Sequence, residues 1–213
     1  MDLYFSPLAC SLASRIALYE AGADATFIEV DPKTKRIMDD GADYLKVYPL
    51  GLVPALRMED GALLTENAAI LQYVAAQFPA ANLAPQDGVA RARLQQWLCF
   101  IGTELHKALF VPLFDKKAPQ GLAEHVLAKG ESRLAYLNDY LTGRDYLLDH
   151  FTVADAYLYT VLNWSMATPV KFDRFPAIAS YFTRLQQRAS IKRAFTEELA
   201  LYKAELARHK AAA

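Results

Sequence analysis

The chain has 213 residues, 54% of them hydrophobic and 22% charged, with a formal net charge of −1. That length buries a sizeable core in one large domain or two small ones, and the composition excludes a disordered chain, except at the ARHKAAA tail. The near-zero charge gives no basic field for a nucleic-acid backbone, and no stretch approaches the ~18 uninterrupted apolar residues of a membrane span. The expected partners are therefore small molecules or proteins, with no nucleic acid and no membrane. The N-terminus lacks the basic and long apolar regions of a signal peptide, and two cysteines, Cys10 and Cys99, are too few for a disulfide framework. A cytoplasmic location with both thiols free is the expectation.

In chain order, DLYF is a short strand stopped by Ser6-Pro7, and Cys10 to Ala21 has helical spacing with Gly22 as its stop. TFIEV is a second strand. Residues 31–51 form a polar loop with a short helix around Ala42 to Val47, ended by Pro49 and Gly51. VPALRM and ALLT flank Glu59-Asp60-Gly61, a hairpin signal, and Glu66 to Gln77 is a helix. The order predicts an α/β domain with a mixed four-stranded sheet over residues 1–78. FPAANLAPQDG gives a linker at 79–86, and 87–213 shows only helical patterns.

The first long helix runs from about Val89 to Phe114, with Pro112 expected to kink or end it. The next covers roughly Gly121 to Leu141. In FTVADAYLYTVLNW, Thr152 and Asp155 stand at N-cap and N3 spacing, and the helix they open is apolar on nearly every side, which predicts a central, buried position. Pro176 starts another helix, and Ser190 to Ala207 forms the last.

Cys10 stands where a strand turns into a helix. The orphan N–H groups and dipole of a helix start favour a thiolate there, while a small buried hydrophobe would fit the same position equally well. CSLA is not C-x-x-C, because Ala13 stands where a resolving cysteine would be, so redox chemistry in this loop must be monothiol with an outside thiol as partner. Val53-Pro54 fits an ordinary trans turn; a cis bond there would turn the Val53 N–H and C=O outward to pair with an extended peptide. Glu66-Asn67 opens a helix whose N–H groups suit a ligand carboxylate, or Thr65 simply caps it. On the long helix, Cys99, Thr103, His106 and Phe110 follow α-helical spacing as a stripe beside the Leu94/Ile101/Leu105 core stripe. That placement turns His106 toward a cleft, or toward solvent on an amphipathic surface.

Taken together, these motifs and their order resemble a cytosolic glutathione transferase. YFSPLACSLASRIALYEAG, DGADYLKVYPLGLVPAL and LQQWLCFIGTELHK resemble the bacterial beta class in particular. The resemblance covers nearly the whole chain and implies a thioredoxin-like N-terminal domain with an all-helical C-terminal domain forming the electrophile pocket. It implies that Cys10 meets the glutathione sulfur and can form a mixed disulfide, and that Val53, before a cis Pro54, pairs with the cysteinyl segment. Glu66 and Asn67 would hold the γ-glutamyl end and Lys35 the glycine carboxylate. His106 and Lys107 would reach into the site from the helical domain, with Phe110 and Trp164 at the hydrophobic pocket. Asn67 stands where many family members carry Ser or Thr. Cys99 stands where related sequences often have Asn, and a thiol hydrogen-bonds far more weakly than an amide.

The activity this implies is conjugation of glutathione to a small hydrophobic electrophile, glutathione-dependent thiol-disulfide exchange through Cys10, or both. Glutathione is then a co-substrate, no metal is needed, and a homodimer is expected. The alternatives are a non-catalytic protein binding glutathione or hydrophobic ligands, and a transferase-like interaction module.

Overall fold

The computed structural model describes residues 1–211. By its internal contacts the chain divides into Met1–Leu83 together with the segment from Ala189 on, and Ala84–Arg188. The sequence put the last helix with the helical domain; the contacts put it with the sheet, because it packs on the first helix.

The first unit holds β1 (Asp2–Phe5), α1 (Leu12–Ala21), β2 (Thr26–Glu29), β3 (Ala55–Arg57), β4 (Leu63–Thr65) and α2 (Asn67–Gln77), and ends with α8 (Ala189–Ala211). The sheet order is β2-β1-β3-β4, with β1 parallel to β2 and the other pairs antiparallel. This is the predicted mixed four-stranded sheet. Alternation along β1 sorts its side chains. Tyr4 joins Val30, Ile37, Tyr44 and Ala55 in one cluster, while Phe5 lies under the Arg15 guanidinium of α1. At the predicted hairpin, Gly61 takes φ 84° and the Met58 N–H donates to the Ala62 carbonyl at 2.9 Å. The short helix expected near residues 42–47 is a 3-10 turn over Tyr44–Lys46, capped by the Asp43 carboxylate.

The second unit holds α3 (Gly88–Phe100), α4 (Val111–Leu113), α5 (Leu122–Leu141), α6 (Val153–Asn163) and α7 (Pro176–Gln186). Between α3 and α4, Ile101–Phe110 winds as a π-helix, and the Val111 N–H reaches back to the His106 carbonyl. The helix ends one residue past Pro112, which lacks an N–H and crowds the turn before it. α6 is buried at every position, as its all-round apolar pattern predicts. Its start is the predicted capping box. Asp155 accepts hydrogen bonds from the Thr152 N–H (2.8 Å) and hydroxyl (3.0 Å), the Leu147 N–H (2.9 Å) and the Tyr181 hydroxyl (2.7 Å). Burial pushes this carboxyl up, and these four donors pull it back.

The tail expected to be disordered is helical through Ala211, while Ala212 and Ala213 lie outside the described residues. Among the described residues no helix is long and apolar enough to cross a membrane.

Candidate active site

Cys10 lies two residues before α1, in a loop tied down on all sides. The Ser6 hydroxyl donates to the Val30 carbonyl at 2.6 Å, and the Ser11 hydroxyl closes the loop on the Ser6 backbone. Leu8 takes φ 57°, a conformation a branched side chain avoids, and its N–H donates to Glu198 Oε2 of α8 at 2.7 Å. The loop therefore presents Cys10 half-buried, which excludes neither of the two roles its position allowed.

The Cys10 thiol donates to the Val53 carbonyl at 3.1 Å, and the Val53-Pro54 bond is cis. Behind Cys10, the Asn67 amide donates through Nδ2 to the Cys10 carbonyl at 2.9 Å and accepts the Ser14 hydroxyl at 2.8 Å. A carbonyl can only accept, so the orientation of this amide follows from its partners. Both ends of the Asn67 side chain are thereby committed within the protein.

Glu66, not Thr65, is the cap residue of α2, with φ 66° and ψ 117° and no side-chain capping bond. Its exposed side chain stands beside the first turn, whose leading N–H groups have no intrahelical acceptors. Lys35 also takes a left-handed conformation, φ 57°, and its stem lies against Gly51. A Cβ built on Gly51 would come within 3.3 Å of Lys35 Cδ, so this glycine gives the lysine stem its room. The first unit thus links Cys10, Val53, Pro54 and Asn67 through direct bonds or one peptide unit. Glu66 and Lys35 each stand at a left-handed backbone turn.

In the second unit His106 is buried. Its Nδ1 lies 2.7 Å from the Tyr157 hydroxyl, and its ring packs edge-on to Trp164 at 4.8 Å. Phe110 and Phe114 also pack on Trp164, at 6.0 and 5.7 Å. Burial, with a smaller contribution from the Lys107 charge, lowers the imidazole to about 4, so it is neutral near pH 7. The expected stripe does not hold together: Cys99 and Thr103 are exposed, while His106 and Phe110 are buried. The reason is the π winding. Burial along this segment falls on Ile101, Leu105, His106, Leu109 and Phe110, so the i→i+5 pairs 101/106 and 105/110 of the π winding face inward together with the i→i+4 pairs. Lys107 is exposed as well.

Sequence reasoning missed Ser14, Glu198 and Tyr157. Tyr157 sits on the uniformly apolar α6, where nothing local marks one residue as a partner, and Glu198 is 190 residues from the backbone it holds.

Residues 9–77 match the family described as "Glutathione S-transferase, N-terminal domain", and residues 101–189 match the corresponding C-terminal domain. The chain is 42% identical over 200 residues to the glutathione S-transferase GstA of Escherichia coli O157:H7, covering 93% of this chain and 98% of that protein. A sphingomonad glutathione S-transferase complexed with glutathione superposes with a TM-score of 0.88 at 42% identity, over 93% of this chain and 98% of the other. The bacterial beta class glutathione S-transferase of Sphingomonas chungbukensis gives 0.88 at 40% identity over the same shares.

Proposed function

We propose that this chain, which belongs to the glutathione S-transferase family, uses the thiol of glutathione as a nucleophile, toward an electrophilic carbon and toward disulfide sulfur at Cys10. The observation that carries the reading is the 3.1 Å contact of the Cys10 thiol with the carbonyl of Val53, beside the cis bond to Pro54. A thiol and a backbone acceptor side by side suit a cysteinyl ligand, which needs a partner for its amide and a neighbour for its sulfur.

In this reading the cysteinyl segment of glutathione pairs with the Val53 backbone, and the Lys35 ammonium takes the glycine carboxylate. The γ-glutamyl end meets Glu66 and the leading N–H groups of α2. Asn67 serves through its backbone N–H and through its grip on the Cys10 carbonyl. In exchange, the Cys10 thiolate attacks the glutathione sulfur of a substrate's mixed disulfide, the substrate thiol leaves as thiolate, and a disulfide between Cys10 and glutathione remains. A second glutathione thiolate attacks that bond, forming glutathione disulfide and releasing the Cys10 thiolate. In conjugation, the glutathione sulfur forms a bond to carbon, and the leaving group departs with its electron pair. His106 and Trp164 belong to the proposal as a hydrogen-bonding imidazole and an apolar wall, with Phe110 packed on that wall. Lys107 and Cys99, both exposed, are proposed as further glutathione contacts. The small hydrophobic electrophile and the homodimer are proposed on family membership.

Incubation of the reduced protein with glutathione disulfide near neutral pH, followed by intact mass and peptide mapping, tests the Cys10 assignment. One glutathionyl adduct on Cys10, absent in Cys10→Ala, is the expected result. No adduct, or one confined to Cys99, returns Cys10 to a packing role. Turnover of a chloronitroaromatic electrophile by Cys10→Ala separates conjugation from exchange.

A further inference from the structure

The loop that carries Lys35 is organised by one buried aspartate. Asp31 Oδ1 accepts the N–H groups of Lys33 at 2.9 Å and Thr34 at 2.8 Å. The Asp31 carbonyl accepts the Lys35 N–H at 3.0 Å, and its N–H donates to the Arg36 carbonyl at 2.9 Å. These bonds fix the turn at which Lys35 takes its left-handed φ of 57°.

The other carboxylate oxygen is held from the opposite end of the chain. His209, in the last turn of α8, places Nε2 at 2.7 Å from Asp31 Oδ2. Next to it, Arg208 pairs with Glu29 Oε1 of β2 at 2.7 Å, and Glu205 Oε1 lies 3.8 Å from His209 Nδ1. Burial alone would raise the Asp31 carboxyl, but the Thr34 N–H, His209 and the Lys33 N–H bring it down to about 2. It is therefore an acceptor throughout the neutral range. His209 stands in the basic last turn of α8, four residues from Glu205, and at Asp31 its ring meets the oxygen opposite the one that takes the Lys33 and Thr34 N–H groups.

We propose that His209 is a positioning residue for ligand recognition: by holding Asp31 it sets the turn that presents Lys35 to the terminal carboxylate of the bound peptide. The proposal rests on the glutathione reading, since it takes that ligand's glycine end as the group Lys35 meets. His209 itself touches no ligand. It acts on the difference in affinity between glutathione and γ-glutamylcysteine, which is the same molecule without its glycine.

The test is titration calorimetry of both ligands against the full chain and its variants, each checked for native thermal unfolding. The wild type is expected to prefer glutathione, and Lys35→Ala to lose that preference. His209→Phe, which keeps bulk but offers no nitrogen, is expected to reduce it on the order of fivefold, with the loss falling on glutathione alone. His209→Gln, whose amide can still donate to Asp31, is expected to restore it. In a Lys35→Ala background His209→Phe should change nothing further, because both act through one contact. A His209→Phe variant with the wild-type preference, or one that loses both ligands equally, overturns the proposal. Retention of the preference by Lys35→Ala overturns it too, while leaving the Cys10 site standing. A wild type that binds neither ligand sinks the glutathione reading itself.

Discussion

Arg15 is a buried side chain engaged on several sides, and its replacement tests how the Cys10 loop is held. Its guanidinium lies in the corner made by the rings of Phe5 and Phe27, which meet at 87°, 4.2 and 4.1 Å from their centroids. Nη1 pairs with Glu197 and Nε with Glu198, both at 3.1 Å, the second too misaligned for a hydrogen bond. Glu198 has no exposure, and burial pushes its carboxyl up to about 8 against the pull of Arg15 and the Leu8 N–H. Arg15→Met keeps the stem and removes the charge, leaving a buried carboxyl without a cation and two aromatic faces without a partner. At pH 9, where Glu198 is ionised, breaking a buried pair in this way costs about 3–5 kcal/mol, and at about 2–4 °C per kcal/mol the melting temperature should fall by roughly 10 °C. Adding Glu198→Gln, which keeps an acceptor for Leu8, should return at least about 1 kcal/mol of that loss. The pH dependence supplies a second check. A carboxyl raised in the fold binds protons that the unfolded chain does not, so its contribution is complete below about 4.5 and lost as pH climbs toward about 8. Glu198→Gln should flatten urea-derived stability across that window. An Arg15→Met loss under about 1 kcal/mol, or additive single variants, would refute the argument.

Three further outcomes follow from single sites. Asp155→Ala strands four buried donors and should destabilise by about 4 kcal/mol in urea unfolding, whereas Asp155→Asn, after one hydroxyl turns to accept from the new NH2, strands one backbone N–H and should cost about half as much. His106, held neutral by burial, lowers the fold's proton uptake relative to the unfolded chain. Stability from this site is therefore complete above the ordinary 6.5 and lost as pH falls toward about 4, by about 3 kcal/mol at most, and His106→Gln should remove that acid slope in thermal melts. Gly51→Ala forces a side chain onto φ 61° and brings its Cβ to 2.9 Å from Leu45 Cδ2, so a loss of about 1–2 kcal/mol is expected, together with weaker retention on immobilised glutathione through the displaced Lys35 stem.

What could be read from the sequence was local. The Asp60-Gly61 turn, the Thr152/Asp155 box and the switch from strand to helix at Cys10 each lie within a few residues, where spacing alone states the physics. The stripe through Cys99 and His106 was not readable, because it assumed α winding and the segment is a π-helix. The sequence left the start of α2 open between Glu66-Asn67 and a cap at Thr65: Thr65 is the better capping residue by type, yet the chain turns through Glu66 in a conformation that propensity argues against. The pairs that brace the site, Leu8 with Glu198 and Asp31 with His209, are 190 and 178 residues apart, and charged residues on a terminal helix read as ordinary solvated surface.

Among the described residues, non-glycine backbone enters the left-handed region at Leu8, Lys35, Glu66 and Asn82, and the first three stand in the turns around the candidate site. Such conformations persist only where the surroundings over-determine them. For Leu8 the outside constraint is the buried carboxyl of Glu198 on α8, and for the Lys35 turn it is Asp31, itself gripped from the end of α8. A helix separated from the sheet by the whole second unit in sequence thus supplies fixed partners for both turns, which explains why it clusters with the sheet. Without those partners Leu8 and Lys35 would relax toward the extended or right-handed regions that their side chains prefer. The Cys10 loop and the Lys35 turn would then lose the backbone geometry that α8 holds in place.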